Sequence, residues 1–260
     1  MPSPTKLSSR KVQRFGWIPD IPDQRDFLYA APTPFQTNIP ESVDLSPQCP
    51  PVYDQGHLGS CTANAIAGAI EFDQGKLKET EFVPSRLFIY YNERSMEGTV
   101  STDSGAQIRD GIKSVSQVGA PPETDWPYDI AQFAQQPPAK AFDDAKQHLV
   151  TLYQRLIQEL NTLKGCLASG FPFVFGFTCY ESFESQAVAE SGILPMPKSG
   201  EQVVGGHAVV CVGYDDSSRE FLVRNSWSDQ WGLKGYFKMP YAYLTSQRLA
   251  SDLWTIRSVQ

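Results

Sequence analysis

Apolar residues follow two different patterns along the chain. Residues 60–72 form an Ala-rich stretch that is typical of a buried helix. Residues 84–94 carry an apolar stripe at helical spacing, and residues 107–118 predict a third helix that ends before Gly119. A fourth helix is predicted around residues 156–169. The first part of the chain is therefore expected to be mainly helical.

The later part of the chain contains short runs of β-branched and aromatic residues instead. Each run is bounded by Gly, Asp, Ser or Pro, which is typical of strands and the turns between them. The runs cover residues 171–178, 208–214, 221–224, 236–238 and 253–257. Helices followed by a mostly antiparallel sheet predict an α+β fold with two lobes, and a cleft between lobes is a common place for an active site.

Prolines are concentrated at the start of the chain, where half of the 20 fall within residues 1–51. Proline fixes φ, removes an N–H group and pushes the preceding residue towards extended geometry. An extended arm is therefore predicted here. Aromatic and aliphatic side chains between Phe15 and Tyr29 favour burial, so residues 15–30 are expected to lie along the body of the protein.

The overall composition is ordinary for a globular protein. The 260 residues are 41% apolar and 20% charged, which argues against disorder and suffices for one or two compact domains. A net charge of −7 disfavours nucleic-acid binding. The basic residues Lys6, Arg10, Lys11 and Arg14 are interpreted as a solvated tail rather than a nucleic-acid or lipid contact.

Membrane and export signals are not found in the sequence. No apolar run approaches the roughly 18–20 residues that a membrane span needs. The basic residues near Met1 are not followed by an apolar segment, so no Sec-type signal peptide is predicted. The expected location is the cytoplasm, or the exterior by a non-classical route.

Five cysteines and three histidines are the candidates for thiol or metal chemistry. The odd number of cysteines leaves at least one thiol unpaired within the monomer, and no CxxC pair is present. No paired zinc-ligand spacing occurs, so no metal and no cofactor are predicted. The cysteines are residues 49, 61, 166, 179 and 211, and the histidines are residues 57, 148 and 207.

Cys61 stands at the predicted start of the Ala-rich helix. Unpaired N–H groups and the helix dipole favour negative charge there, which suits a thiolate nucleophile. Gly56 and Gly59 allow the preceding loop to turn tightly and to bring backbone close to a substrate. A buried structural cysteine at a helix start would have the same local sequence.

Two further segments supply possible partners for this thiol. His207 follows Gly205 and Gly206 and is predicted to open an apolar strand, although a lone histidine there is more often structural. Asn225 ends the next predicted strand, where its amide could orient an imidazole while Trp227 shields the bond from water. Taken alone, the Asn-Ser-Trp sequence would indicate a turn.

Together, these segments resemble the papain family of cysteine peptidases. His207 and Asn225 follow Cys61 by 146 (207 − 61) and 164 (225 − 61) residues, close to the family's spacing of about 130–150. The resemblance covers about residues 43–257 and is greatest for a short bacterial type. The matching motifs are Gln-Gly-His-Leu-Gly-Ser-Cys at 55–61, Gly-His-Ala-Val at 206–209, Gly-Tyr at 213–214, Asn-Ser-Trp at 225–227, Trp-Gly at 231–232 and Gly-Tyr at 235–236.

The resemblance implies a role for each residue of the site. Cys61 would attack a peptide carbonyl to give a thioester, and His207 would hold the thiolate in an ion pair and later protonate the leaving amine. Asn225 would orient His207, with Trp227 covering the contact. The Gln55 side-chain amide and the Cys61 N–H group would form the oxyanion hole, where each donor contributes roughly 3 kcal/mol.

The resemblance also implies where a peptide or protein substrate binds. Ser104 and Gly105 belong to an Asp-Ser-Gly segment that resembles the family's Asn-Gly-Gly segment. Gly105 would bond the substrate backbone beside S2, the pocket for the second residue before the scissile bond. Gly205 and Gly206 would line S2, where their small size suggests a roomy pocket, and Trp227 would border the same cleft.

The implied fold is the papain-like α+β arrangement, with a helical left lobe, an antiparallel, β-barrel-like right lobe and the active-site cleft between them. The peptidase domain is expected at residues 43–260, preceded by the arm at residues 1–42. The helical lobe is expected at about residues 55–145 and the β lobe at about residues 146–260.

Two residues depart from the family pattern around the nucleophile. Leu58 replaces a disulfide-forming cysteine, and Thr62 replaces the usual Trp or Tyr in the cleft wall. The family's disulfide framework is therefore missing, which fits a reducing compartment or a bacterial origin. The cysteines other than Cys61 are predicted to be buried free thiols, with a Cys166–Cys179 bridge as the alternative.

The arm is shorter than the family's helical inhibitory prodomain. One hypothesis is that residues 15–26 lie on or near the cleft and limit access to it until they are moved or cut. The alternative is that these residues pack only on the outside of a lobe.

Two other functions compete with the peptidase. A catalytically silent papain fold could serve as a binding module, although the presence of Cys61, His207, Asn225 and Gln55 argues against it. Another thiol acyltransferase or amidase, such as a transglutaminase, commonly pairs Cys and His with Asp, whereas the Asn-Ser-Trp sequence favours the peptidase.

Overall fold

The computed structural model describes residues 15–33, 35 and 38–259. The basic residues predicted to form a solvated tail, at positions 6–14, lie outside this part of the chain. No helix among the described residues is both long and apolar enough to cross a membrane.

Helices occur mainly in the first two thirds of the described chain. They are α1 (Cys61–Leu77), α2 (Arg86–Glu97), α3 (Ile108–Gln117), α4 (Ala139–Ala145), α5 (Leu160–Ala168), α6 (Gln186–Ser191) and α7 (Tyr241–Leu244). Short 3-10 turns lie at Ser46–Gln48, Ile130–Gln132 and Glu181–Glu184.

Strands dominate from residue 150 onwards, with three short ones before it. They are β1 (Trp17–Ile18), β2 (Ser42–Asp44), β3 (Ala106–Gln107), β4 (Val150–Arg155), β5 (Phe173–Tyr180), β6 (Val203–Asp215), β7 (Glu220–Arg224), β8 (Tyr236–Pro240) and β9 (Ala250–Val259).

Helix α1 is buried on nearly all sides. Small and apolar side chains such as Ala63, Ile66 and Ala67 are fully buried, so the helix packs against α2 and α3 on one side and against β6 and β9 on the other. It ends at Lys78, which adopts the left-handed conformation with φ 57°. The helix therefore places its first residue, Cys61, at the boundary between the helices and the sheet.

The main sheet is antiparallel and follows the order β4-β9-β5-β6-β7-β8, with β2 paired to the end of β6. Strands β5 and β6 pair along the whole of β5 and bring Phe177 opposite His207. Within the described residues β4 and β8 end the sheet and do not pair with each other. The sheet is therefore open, and the closed barrel that the expected right lobe suggests is not formed.

The predicted helices and strands are all present, with ends that differ by up to five residues. Strand β6 begins at Val203, so His207 lies inside the strand rather than opening it. The sequence patterns do not predict α4 or β4. Helix α4 has only seven residues, and β4 is an edge strand in which Val150 alone is buried, so neither has a strong periodic pattern.

The cysteines are free thiols, and all five lie in the described part of the chain. The alternative Cys166–Cys179 bridge is therefore not formed. Cys61, Cys166, Cys179 and Cys211 are buried, but Cys49 is only partly so, and the prediction that it is buried is wrong.

Candidate active site

The boundary between α1 and β6 brings the predicted nucleophile and histidine together. Cys61 is fully buried, and its Sγ accepts a hydrogen bond from the backbone N–H of Ala208 at 3.4 Å. Ala208 follows His207 directly in β6, so the thiol lies against the backbone of the histidine strand. The sequence positions involved are 147 residues apart, and the fold alone joins them.

Asn225 fixes the orientation of the His207 imidazole through a hydrogen bond. His207 Nε2 lies 2.8 Å from Asn225 Oδ1, and the same oxygen accepts the backbone N–H of Ser226 at 2.8 Å. A backbone N–H only donates, so the Asn225 atom between them is the acceptor oxygen and Nε2 of His207 carries a hydrogen. This tautomer places the lone pair of the ring on the other nitrogen, Nδ1, which can accept a proton.

Aromatic rings enclose the His207–Asn225 hydrogen bond. The Trp227 ring centroid lies 5.0 Å from that of His207 at an interplanar angle of 30°, and Phe177 packs edge-on at 5.8 Å. Phe183 contacts both His207 and Trp227. His207 and Asn225 are 1% and 2% exposed, so the bond between them lies in a low-dielectric environment that strengthens it.

Gln55 is fixed by contacts with the loop before Cys61 and with the Asn-Ser-Trp segment. Its Oε1 accepts the Ser226 hydroxyl at 2.6 Å, and its Nε2 donates to the Leu58 carbonyl at 3.0 Å. The Gln55 carbonyl accepts the Tyr128 hydroxyl at 2.9 Å. These bonds orient the amide, whose nitrogen carries a second hydrogen.

Asp103 and Tyr90 anchor the loop before the nucleophile, and the sequence patterns do not assign them a role. The Gly59 N–H donates to both carboxylate oxygens of Asp103 at 3.0 and 3.2 Å, and the Tyr90 hydroxyl donates to Asp103 Oδ1 at 2.5 Å. The same hydroxyl accepts the Gly105 N–H at 3.2 Å. The Asp-Ser-Gly segment is the only sequence signal that points to this region.

Residues 15–18 of the arm lie directly against these groups. The Gly16 carbonyl accepts the Ala106 N–H at 2.8 Å, and β1 pairs with β3 in the parallel sense. A Cβ on Gly16 would overlap the backbone carbonyl of Gly59, and a Cβ on Gly105 would overlap the backbone of Gly16. The two backbones approach this closely because both positions are glycine.

Phe15 and Trp17, the residues before and after Gly16, contact different parts of the cleft. Phe15 lies 6.2 Å from the His207 ring and 6.5 Å from the Trp227 ring, and a Cβ on Gly205 would overlap it. Trp17 lies against Gly206 instead. The two glycines expected to line one pocket therefore contact different arm residues. The Ser104 hydroxyl donates to the neighbouring Gly105 carbonyl at 3.1 Å.

Burial keeps the thiol protonated while the arm is in place. It raises the pKa of Cys61 to about 12, while hydrogen bonds from the backbone N–H groups of Ala208, Gly16 and Thr62 act in the opposite direction. The buried Glu93 carboxyl, which accepts the Thr62 hydroxyl at 2.6 Å, adds to the rise. The backbone N–H of Gly16 in the arm therefore belongs to the groups that act on the thiol.

Charged residues fasten the arm beyond the cleft. Asp26 accepts from Arg109 on α3 at 2.5 Å and from Arg155 on β4 at 2.9 Å, and the Arg109 and Asp26 side chains are only 5% and 6% exposed. Asp20 accepts the backbone N–H of Arg109 at 3.0 Å and the indole N–H of Trp254 at 3.0 Å. One short segment of the arm thus bridges α3 and the sheet.

Comparison with known proteins agrees with this geometry. Residues 39–252 match the family described as "Papain family cysteine protease". The match covers more than half of the chain, so the chain belongs to the papain family of cysteine peptidases. The expected papain-like fold and cysteine-peptidase function are confirmed.

Two proteins are similar to this chain over nearly its whole length. Xylellain, a cysteine protease from Xylella fastidiosa, has a crystal structure 46% identical in sequence, with a TM-score of 0.90 over 98% of this chain and 100% of that chain. An uncharacterised peptidase C1-like protein of Acanthamoeba polyphaga mimivirus is 44% identical over 95% of this chain and 88% of its own length. The expected similarity to a short bacterial type is confirmed by xylellain.

More distant structures share the fold alone. ProCathepsin B S9 from Trypanosoma congolense is 17% identical, with a TM-score of 0.74 over 95% of this chain and 86% of that chain.

Proposed function

We propose that this cysteine peptidase cleaves peptide bonds through a thioester, with Cys61 as nucleophile, His207 as acid and base, and Asn225 as the residue that positions His207. The observation that supports the proposal most strongly is the pair of short contacts that join three distant segments: Cys61 Sγ to the Ala208 N–H, and His207 Nε2 to Asn225 Oδ1.

The reaction begins with a proton transfer. The Asn225 oxygen fixes the proton on Nε2 of His207, so Nδ1 takes the thiol proton of Cys61. The thiolate adds to the peptide carbonyl, and the carbon–oxygen double bond becomes a tetrahedral oxyanion. When this intermediate collapses, the carbon–nitrogen bond breaks, His207 gives its proton to the leaving amine, and a thioester remains on Cys61.

Water completes the cycle. His207 removes a proton from a water molecule, which attacks the thioester, and the thiolate leaves as the carboxylic acid product forms. In both steps the oxyanion is stabilised by the second amide hydrogen of Gln55 and by the Cys61 backbone N–H. Removing one such donor costs about 10²–10³ in kcat in a comparable site.

Active-site titration with a papain-directed epoxide tests this assignment. We expect stoichiometric labelling of Cys61 and cleavage of a small peptide in the wild type, and neither in Cys61→Ala. Cys49→Ser, which changes a partly buried thiol away from His207, should retain both. Absence of labelling both in the full chain and in a chain that begins near Ile39 would instead identify a silent binding module. Labelling with acyl transfer but no hydrolysis would identify a different thiol enzyme.

The arm is proposed to act as a built-in inhibitor that the peptidase cannot cleave. His207 serves the leaving amine, so a substrate's C-terminal side lies towards His207 and Trp227. In the arm, the more N-terminal residue, Phe15, occupies that side and Trp17 the other, so the arm runs opposite to a substrate. The Gly16 backbone N–H lowers the pKa of the Cys61 thiol, and the Gly16 carbonyl accepts the Ala106 N–H instead of standing in the place of a scissile carbonyl.

A single methyl group tests the inhibitory role. Gly16→Ala places a Cβ against the Gly59 backbone carbonyl. Overpacking of this kind costs about 1–3 kcal/mol, which would weaken docking of the arm by roughly 5- to 150-fold. We expect faster epoxide labelling and peptide cleavage at an unchanged final titre of reactive thiol. Phe27→Ala, which changes an exposed arm side chain, is the control.

If Gly16→Ala does not fold, removal of the arm tests the inhibitory role instead. A chain that begins near Ile39 lacks the arm, and activity equal to that of the full chain would remove the inhibitory role.

The five cysteines are unpaired, which supports a reducing working environment for the protein. Cytoplasmic location or non-classical export stays a prediction.

A further inference from the structure

The loop before the nucleophile, residues 55–60, has no covalent crosslink. Leu58 replaces the cysteine that would form a disulfide in this loop, and none of the five cysteines of the chain is paired. Gln55 begins the loop and Ser60 ends it, directly before Cys61. The distance between the two proposed oxyanion donors, the Gln55 amide and the Cys61 N–H group, therefore depends on noncovalent contacts.

The hydroxyl of Tyr128 joins the two ends of this loop. It donates to the Gln55 carbonyl at 2.9 Å and lies 2.5 Å from Ser60 Oγ. A tyrosine hydroxyl has one hydrogen and a carbonyl only accepts, so the Ser60 hydroxyl is the donor in the second bond. Gln55 and Ser60 are 1% and 0% exposed, so the loop side of both bonds is shielded from water. One oxygen atom thus spans the loop as a crosslink would.

The first turn of α1 fixes the Ser60 end of this connection. Asn64 Nδ2 donates to the Ser60 carbonyl at 2.9 Å and to Ser60 Oγ at 3.1 Å. Asn64 Oδ1 accepts from Arg86 at 3.2 Å, and a guanidinium only donates, so the orientation of the Asn64 amide is determined. Ser60 Oγ therefore accepts from Asn64 and gives its own hydrogen to Tyr128.

The same arginine holds the ring of Tyr128 in place. The Arg86 guanidinium lies 4.1 Å from the Tyr128 ring centroid, within the range of a cation–π contact. Glu123 accepts from Arg86 with both carboxylate oxygens, at 2.8 and 2.6 Å, and such two-point pairing fixes the plane of a guanidinium. The Trp126 carbonyl, two residues before Tyr128, accepts the Ser85 hydroxyl at 2.6 Å. Tyr128 therefore has a fixed support on α2.

The backbone of Gln55 is bonded on both sides. Its N–H group donates to the Ser226 carbonyl at 2.9 Å, and its carbonyl accepts from Tyr128. Without the Tyr128 hydroxyl, this buried carbonyl would lose its partner, which is unfavourable, so the loop would shift towards another donor. A shift of this kind displaces the Gln55 amide, and a displacement of about 1 Å can cost 10²-fold in rate.

We propose that Tyr128 is a positioning residue for the oxyanion hole, whose hydroxyl replaces the missing crosslink and sets the distance between the Gln55 amide and the Cys61 N–H group. This inference rests on the proposed peptidase function and adds a residue to that site. Tyr128 acts through Gln55 and Ser60 rather than on the substrate. Its hydrogen bonds persist in a reducing environment, where a disulfide is reduced.

Two kinds of reaction at the same thiol separate this role from a general loss of structure. Peptide cleavage and reversible binding of a dipeptide aldehyde both place a negatively polarised oxygen in the oxyanion hole. Alkylation by iodoacetamide does not, because the Cys61 thiolate displaces iodide from a saturated carbon. Comparison of the reactions within one preparation of the full-length protein cancels the fraction of molecules whose cleft the arm covers.

The variant that tests the proposal is Tyr128→Phe, which removes only the hydroxyl. We expect kcat/KM, mainly through kcat, and the affinity for the aldehyde to fall by roughly 10- to 100-fold. The rate of alkylation of Cys61 and its pH profile should stay as in the wild type, because the thiol and His207 keep their contacts.

The matched control is Tyr53→Phe. The Tyr53 ring centroid lies 4.6 Å from the same guanidinium of Arg86, but the Tyr53 hydroxyl donates to Glu71 rather than to the loop. Neither reaction should change in this control. A second variant, Ser60→Ala, removes the other end of the connection and should also lower cleavage relative to alkylation, so the proposal can be tested if Tyr128→Phe does not fold.

The substitution Tyr128→Phe in a Gln55→Ala background tests whether Tyr128 acts through Gln55. One of the two donors is then already absent, so Tyr128→Phe should lower cleavage much less than it does in the wild type. An equal further loss, unchanged cleavage in Tyr128→Phe, or an equal fall of cleavage and alkylation overturns the proposal. A wild type that is alkylated at Cys61 but neither cleaves peptides nor binds the aldehyde would overturn the proposed function itself.

Discussion

The arm and the peptidase domain are held by different forces. In the domain, side chains such as Ile66, Phe173 and Val223 are fully buried in one continuous apolar core. In the arm, Phe15 and Trp17 are only partly buried against that core, Ile21 and Phe27 are 71% and 73% exposed, and carboxylates bond residues 20–26 to the domain.

This difference makes the arm the more easily released part. Apolar burial depends little on pH and is spread over many contacts. A few buried ion pairs can be broken by one substitution or one proton, and a charge left unpaired in a buried site costs several kcal/mol. Changes in the domain should therefore reduce activity, whereas changes at the arm contacts should increase it.

The largest expected effect is in the domain. Asn225→Ala removes the acceptor that fixes the His207 ring, so acid–base catalysis should be impaired and kcat/KM should fall by about 10²- to 10⁴-fold. The control is Asn92→Ala, which removes another buried asparagine, bonded to the Phe88 carbonyl on α2. Similar losses in both variants would mean that the effect is structural.

The next effect has the opposite sign and belongs to the arm. Asp26→Ala leaves the buried Arg109 without its carboxylate, and breaking such a pair costs about 3–5 kcal/mol. Docking should weaken, and the rate of epoxide labelling should rise by at least tenfold. Arg25→Ala removes the exposed partner of an ion pair with Asp23 inside the arm and should change the rate less than twofold. Equal rates in all three proteins would show that Asp26 does not fasten the arm.

A pH dependence follows from Asp20. Burial, with help from the Asp252 carboxylate, raises the pKa of Asp20 from 3.8 to about 6, against hydrogen bonds from Arg109 and Trp254. The docked arm therefore holds a proton that the released arm gives up. Docking is favoured fully below about pH 3.8, and this contribution is lost as the pH rises through about 6.

Epoxide labelling of the full chain should therefore accelerate as the pH rises from about 3.8 to about 6. The rate is divided by that of Gly16→Ala at each pH, which corrects for the titration of the catalytic pair itself. The raised pKa of Cys61 acts in the same direction, but at higher pH. Asp20→Asn cannot ionise and should flatten the ratio. A ratio that rises equally in Asp20→Asn would assign the dependence to another group.

The smallest effect is expected for an exposed ion pair, in contrast to the buried pair between Asp26 and Arg109. Lys140 on α4 binds Asp125 and Asp144, but its side chain is 72% exposed. Exposed pairs contribute little because water screens them. Lys140→Ala should change neither the Tm nor the labelling rate measurably. A clear loss of Tm would mean that surface pairs also matter to the domain.

Local sequence was sufficient for the features that depend on neighbouring residues. The Ala-rich helix that begins at Cys61 and the strand that contains His207 follow from short-range propensities and spacing. The family motifs gave the candidate catalytic set in advance, and their roles stay predictions until tested.

Only the tertiary structure decided which distant groups meet. Trp17 reaches Asp252 across 235 positions, and the direction of the arm follows from its parallel pairing with β3, which no local pattern encodes. Asp252 gains its position from a bulge between β5 and β9, whose register depends on packing of the whole sheet. Propensity acts over a few residues, whereas contacts, burial and pairing direction are fixed by how the complete chain closes on itself.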